Sequence, residues 1–304
     1  MASLTSKEAD PSKIAELMVG GRFDATYISR LGELHGQVRV GSSHLKESED
    51  EIMLEVNNVT ALDDRGSIAL NNFSVDVKKG EILGLAGVAG NGQKELVEVL
   101  AGLRRPISGR ITLHKKDITK LGVRERLELG LGVIFEDRVQ VGIIGSLSIK
   151  DNLVIDKIHK PPFSKSHLIN KKAIRDFAEK MVKEFSIDTH DLDAPAFSLS
   201  GGNMQKLILA RVLSSFENLK VLIASEPTAG LDIAATFYIR SKLLELKKLG
   251  IGILLVSTNL DELLTLSDRI AVIYKGRVQG IVKAEEADRR YLGMLMGGFS
   301  LKAK

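Results

Sequence analysis

The sequence predicts an α/β protein with a mostly parallel sheet and a helical lobe inserted into it. Two observations carry that expectation. From Ile52 onward short apolar runs alternate with helical patterns, the order that a chain of βα units produces. Between the apolar runs at 132–135 and 221–224 lies a long, mainly helical stretch, more than one crossover needs. In chain order the predicted strands are 52–59, 81–87, 132–135, 221–224, 251–257 and 269–274, each short, apolar and bounded by turn residues. The predicted helices are 93–103, 149–156, 170–185, 204–215, 234–249 and 261–266, where apolar residues recur at three- and four-residue spacing. The core is therefore expected over 51–139 and 207–283, the lobe over 140–206, and a closing helix and tail over 284–304.

Composition narrows the function classes. A chain of 304 residues holds one large α/β domain with a lobe, or two to three smaller units. Lys and Arg number 43 against 39 Asp and Glu, a net charge of +4, too small and dispersed to indicate nucleic acid. With no cysteine, thiol nucleophiles, iron–sulfur clusters and Cys-ligated zinc are excluded, and a reducing cytosol is the expected setting. No apolar run reaches the about 18 residues of a membrane span, and Met1 opens onto polar residues unlike a secretory leader. The six histidines (His35, His44, His114, His159, His167 and His190) form no HExxH or His-x-His pair, so no metal ligand is assigned.

The two ends of the chain resemble each other. Glu8, Ala9, Asp10, Leu17, Met18 and Gly20 recur at one common offset as Glu286, Ala287, Asp288, Leu295, Met296 and Gly298. Similar helix-forming composition can produce such matches; a truncated tandem repeat is the alternative. On the second reading residues 1–23 are the tail of a preceding domain, and the polar, acidic stretch 24–50 is a linker.

Three motifs carry chemistry. The first is the apolar run 81–86 leading into Gly87-Val88-Ala89-Gly90-Asn91-Gly92-Gln93-Lys94-Glu95 and then a helix. A strand, glycine loop and helix in that order converge backbone N–H groups on a phosphate. The residue after the last glycine is usually a Lys that reaches the β and γ phosphates, followed by a Ser or Thr that holds Mg²⁺; here they are Gln93 and Lys94. The second motif is Leu199-Ser200-Gly201-Gly202-Asn203-Met204-Gln205, opening an apolar-periodic helix; Ser before two glycines is also a plain helix cap. The third is an apolar run ending in Ser225-Glu226, followed by Gly230-Leu231-Asp232.

In motif order, residues 52–298 resemble the ATP-binding cassette (ABC) family. The resemblance implies an α/β fold with a RecA-like P-loop ATPase core, an antiparallel β subdomain and a helical signature lobe. It implies ATP as cofactor, bound by Gly87, Gly90, Asn91, Gly92, Gln93, Lys94 and Glu95, and catalytic positions at Glu226, Asp232, Thr258 and Glu136. Thr258 stands where the family has a His, Glu136 at its Gln-loop position, and Ser225 where an Asp holds Mg²⁺. No aromatic lies between Ile52 and Asn72, where the family stacks adenine. These departures fall on the side implied to hold this domain's own nucleotide. Leu199, Ser200, Gly201, Gly202, Asn203 and Gln205, together with Asp232, match the side that faces a partner's ATP. Mg²⁺ is thus expected at the partner site and not at this one.

Within the family, Glu136-Asp137-Arg138, the Asp193-Ala194-Pro195 preceding the signature and Leu266-Ser267-Asp268-Arg269 look like the second half of the tandem ATPase of bacterial sugar and nucleoside importers. Pro161-Pro162-Phe163-Ser164 leans towards nucleosides. That resemblance implies a partner cassette, membrane permease subunits, indirectly a solute-binding protein, no nucleic acid, and a place on the cytoplasmic face of the plasma membrane. Two other readings stay open: a soluble ABC protein acting on nucleic acid or ribosomes, and a nucleotide-binding regulatory module without turnover.

Overall fold

A computed structural model describes residues 51–165, 168–214 and 219–299. The expected tail at 1–23 and linker at 24–50 lie outside the described residues, and with them the N-terminal copy of the repeat.

Two sheets and a set of helices build the fold. Strands β1 (Ile52–Leu62), β2 (Ile68–Lys78), β4 (Ser108–Leu113) and β5 (Lys116–Asp117) make an antiparallel sheet in the order β2-β1-β4-β5. Strands β3 (Ile82–Ala86), β6 (Leu131–Ile134), β9 (Val221–Ser225), β10 (Gly252–Ser257), β11 (Arg269–Tyr274) and β12 (Arg277–Lys283) make the second, in the order β12-β11-β3-β10-β9-β6. All its pairings are parallel except β12 on β11. A short hairpin, β7 (Ser164–Lys165) and β8 (Leu168–Ile169), stands apart. The helices are α1 (Gln93–Ala101), α2 (Val123–Glu128), α3 (Ile149–Val154), α4 (Lys171–Glu184), α5 (Gly201–Ser214), α6 (Ile233–Lys248), α7 (Leu260–Leu266) and α8 (Arg289–Met296). Helices α3, α4 and α5 fall between β6 and β9, which gives the inserted helical stretch its place.

The central strands are apolar throughout because both faces are covered. On β10, Ile253 and Leu255 face a core shared with α4, α5, α6 and α7, whereas Leu254 and Val256 face one shared with α1 and the antiparallel sheet. On β3, Ile82 and Ala86 face the first core, and Leu83 and Leu85 the second. The glycine loop emerges from the end of this strand, where Val88, Ala89 and Gly90 are exposed.

Strands β2, β4, β5 and β12 and helix α2 were not among the predicted elements. They are half-exposed: β4 buries only Ile111 and Leu113, and β12 none of its residues. Two side chains fasten this layer. Arg269 on β11 donates through Nη2 to the Asp76 carbonyl at 3.0 Å and carboxylate at 2.9 Å, and through Nε to Glu81, joining the two sheets. Arg126 on α2 is 2% exposed and donates to the carbonyls of Val99, Leu100, Leu121 and Thr119. Its cation thereby sits at the negative end of α1, and burial lowers its pKa to about 10.

Candidate functional site

The first cluster grows from the end of β3. Gly90 and Gly92 take φ of 86° and 105°, the left-handed region that favours glycine, and a Cβ on Gly92 would lie 2.5 Å from the Ala69 carbonyl oxygen. The loop is pinned from behind. Asn91 accepts from Lys275 N–H at 2.8 Å through Oδ1 and from Gly276 N–H at 3.0 Å through its carbonyl. Asn91 Nδ2 and Gln93 Nε2 both donate to the Val88 carbonyl, at 2.8 and 3.0 Å, and Gln93 Oε1 accepts from Asn91 N–H at 3.0 Å. Glu95 lies in the first turn of α1.

Lys94 turns away from the loop. Its ammonium lies 3.4 Å from Asp64 and 3.7 Å from Glu98, whose charges, Glu98 first, raise its pKa above the usual lysine value. Arg104 donates to the same two carboxylates and to the Leu62 carbonyl. The turn from β1 to β2, the neighbourhood in which the resemblance expects an aromatic ring, thus presents a carboxylate tied to α1.

Lys94, Ser225 and Glu136 line one cleft of about 450 Å³, with Glu98, Phe135 and Asp137. The residues at the family's metal positions do not fit Mg²⁺, which wants a carboxylate and oxygen donors in octahedral geometry. Here an ammonium and a serine hydroxyl stand in those places.

Glu226 follows β9 with φ of 44°; its N–H donates to the Val256 carbonyl at 2.8 Å and its carboxylate accepts from Thr258 N–H. Burial raises its pKa, Glu136 and Glu262 add to the rise, and the Thr258 hydrogen bonds oppose it. A raised carboxyl pKa means that the folded state binds this proton more tightly than the unfolded one, so stability falls as pH climbs from the usual carboxylate range through the raised value. Glu226→Gln is therefore expected to melt above the parent at pH 7, with the gap closing towards pH 4; a parent that is the more stable at neutral pH refutes this.

The second cluster is the start of α5. Ser200 Oγ accepts from Asn203 Nδ2 at 3.1 Å, and Asn203 Oδ1 accepts from Asp188 N–H at 3.0 Å. Gly201 is exposed, and a Cβ there would meet nothing within 4 Å. Gly202 packs on the first turn of α6: its Cβ would lie 3.0 Å from Ala235 Cβ and 3.7 Å from Asp232 Oδ2. Asp232 caps α6, accepting from Ala235 N–H at 2.8 Å. Leu199 is buried beneath the segment, at 8% exposure.

The structure thus brings Asp232 to Gly202, Asn203 to Ser200, and Glu226 to Thr258. Gln205 departs from the expectation. It is 1% exposed and its amide has no hydrogen-bond partner among the described residues, so it lies inside the molecule and not beside Ser200 on the surface. Helical spacing explains the difference, because Gln205 shares the buried face of α5 with Leu209 and Val212.

Sequence reading missed Glu262. This fully buried carboxylate on α7 accepts from Thr228 Oγ1 at 2.7 Å, Ser257 Oγ at 2.9 Å and Arg240 Nε at 3.1 Å, joining the segments that carry Glu226, Asp232 and Thr258. An acidic residue in the first turn of a helix gave no signal of it. Arg138 was quoted only for the resemblance, yet it donates to the Ala229 carbonyl at 2.7 Å and so holds the turn before Asp232.

Among known families the profile described as ABC transporter matches residues 70–229. The chain is 40% identical over 82% of its length to a nucleoside import ATP-binding protein of Lactococcus lactis subsp. cremoris, covering 49% of that protein. It is 35% identical over 99% of its length to a guanosine import ATP-binding protein of Bacillus subtilis, covering 56%, and 42% identical over 82% to a glucose import ATP-binding protein of Haloferax volcanii, covering 45%. The chain therefore spans about half the length of the curated relatives it matches. Among solved structures, an ATP-binding cassette of an ABC transporter superposes with a TM-score of 0.67 at 25% identity, over 82% of this chain and 99% of that one. A Clostridium perfringens protein described as part of an ABC transporter complex gives 0.63 at 26%, over 83% and 96%.

Proposed function

The chain belongs to the ABC transporter family, and from that premise we propose that it is the half of a paired ATPase that completes a partner cassette's ATP site and hydrolyses little at its own. One contrast supports the reading. Where this domain's own nucleotide belongs, an amide, a paired ammonium, a serine and a threonine stand at Gln93, Lys94, Ser225 and Thr258. The exposed start of α5, with Ser200 anchored by Asn203 and with Gly201 open to solvent, instead forms a helix N-terminus suited to an anion from outside the domain.

In this reading ATP and Mg²⁺ sit on the partner, whose Lys, Asp and His supply what is missing here. The work done is uptake of a nucleoside or simple sugar, in keeping with the import functions named for the relatives. Membrane permease subunits and, through them, a solute-binding protein are the further partners, at the cytoplasmic face of the plasma membrane. Among the described residues no helix is long and apolar enough to cross a membrane.

The isolated chain is expected to release no phosphate from Mg·ATP above background, since phosphoryl transfer is accelerated almost entirely by positioning and electrostatics. Addition of a cassette with an intact phosphate loop is expected to restore turnover. Robust hydrolysis by the isolated chain, abolished by Glu226→Gln, overturns the proposal.

A further inference from the structure

The glycine loop spends its own hydrogen bonds. Its Asn91 N–H, the type of donor that such a loop aims at phosphate oxygens, is taken by Gln93 Oε1 at 3.0 Å. The other end of the same carboxamide donates to the Val88 carbonyl at 3.0 Å, and a Cβ on Gly87 would lie 2.6 Å from its nitrogen. The amide is therefore seated against the first glycine of the loop, bonded at both ends. We propose that Gln93 is a gate on a latent polyphosphate site: its carboxamide holds the place of a phosphate oxygen, and its removal opens the loop to a metal-free polyphosphate. The inference rests on the reading of this site as non-hydrolysing and adds what keeps it closed.

The chemistry is specific to an amide. A phosphate oxygen only accepts, so it can replace Gln93 Oε1 on Asn91 N–H, but it would meet the Val88 carbonyl as one acceptor against another. That carbonyl also accepts from Asn91 Nδ2 at 2.8 Å, so it stays satisfied when Gln93 is removed. Asn91 in turn is fixed by Lys275 N–H and Gly276 N–H, which keeps the loop in shape without the Gln93 side chain. Lys94 offers no competing attraction while Asp64 and Glu98 hold it. Residue 93 thus decides whether the loop takes a polyphosphate.

Calorimetric titration of the chain with inorganic pyrophosphate in EDTA tests this. The Gln93→Gly variant is expected to bind at least about tenfold tighter than the parent, a gain of about 1.4 kcal/mol. Gln93→Glu, which keeps the acceptor and adds a negative charge, is expected to show no gain. Equal affinity of parent and Gln93→Gly overturns the gate. Should the glycine variant not fold, hydrogen exchange in the parent decides: a protected Asn91 amide supports the gate, and a freely exchanging one overturns it. Mg·ATP turnover by the unaltered chain would sink the reading of a non-hydrolysing site, whereas unchanged pyrophosphate affinity sinks the gate alone.

Discussion

Gly201→Asp, in the chain paired with its partner cassette, is expected to stop ATP turnover while leaving this chain's own melting temperature where it was. The two halves of that expectation have separate causes. A Cβ at Gly201 meets nothing within 4 Å, so the fold tolerates the side chain, and an acidic group in the first turn of α5 is favourable to the helix by a few tenths of a kcal/mol. The same carboxylate stands beside Ser200, where the partner's γ phosphate is proposed to dock. Two like charges about 5 Å apart at an effective dielectric of about 20 repel by about 3 kcal/mol, roughly a hundredfold in rate. Gly202 would be a poor choice for this test, because its Cβ would press on Ala235 at 3.0 Å and confuse packing with charge. Gln93→Ala in the same pair is expected to cost severalfold at most, since that site is not the one proposed to turn over. Phosphate release from the two variants decides: if Gln93→Ala stops turnover and Gly201→Asp leaves it running, the live site has been assigned to the wrong cassette.

The features legible in the sequence are those in which local pattern and tertiary role coincide. Strands β3, β9 and β10 are covered on both faces, so they appear as unbroken apolar runs next to the glycine loop and next to Glu226. The start of α5 was legible for the same reason: Ser200 and two glycines precede an apolar-periodic helix. The antiparallel layer was harder. Strand β2 does carry a period-two signal in Phe73, Val75 and Val77, but β4 begins with three exposed residues and β12 carries a glycine at 280, so pairing with β1 and with β11, not pattern, makes them strands. The pairings around the loop were not legible at all. Asp64 meets Lys94 and Arg104 only because the turn from β1 to β2 folds over α1, and nothing local to residue 64 announces it. Gln205 was legible and misassigned: spacing from Leu209 and Val212 puts it on the inner face of α5, whereas adjacency to the motif suggested the outer one.

Glu262→Leu is expected to destabilise the chain by about 3 to 5 kcal/mol, the cost of breaking a buried ion pair from one side. The side chain of Glu262 is 1% exposed and that of Arg240 18%, so the substitution leaves a largely desolvated guanidinium without its carboxylate. It also strands the hydroxyls of Thr228 and Ser257, which donate to the two carboxylate oxygens. For a domain of this size that loss lowers the melting temperature by roughly 6 to 20 °C. Adding Arg240→Met should recover most of it, because an apolar pair of similar volume removes the unpaired charge. The effect should reach function as well, since Thr228 lies in the turn that leads to Asp232, and Ser257 accepts from Asn259 N–H just past Thr258. Loosening both segments would let the cap of α6 drift from Gly202 and weaken the surface proposed to face the partner cassette. The double variant therefore separates the two roles: with stability recovered, turnover of the paired ATPase should remain below the parent, because Met and Leu cannot hold Thr228 in place. A Glu262→Leu chain that melts with the parent would mean that the carboxylate fastens neither segment.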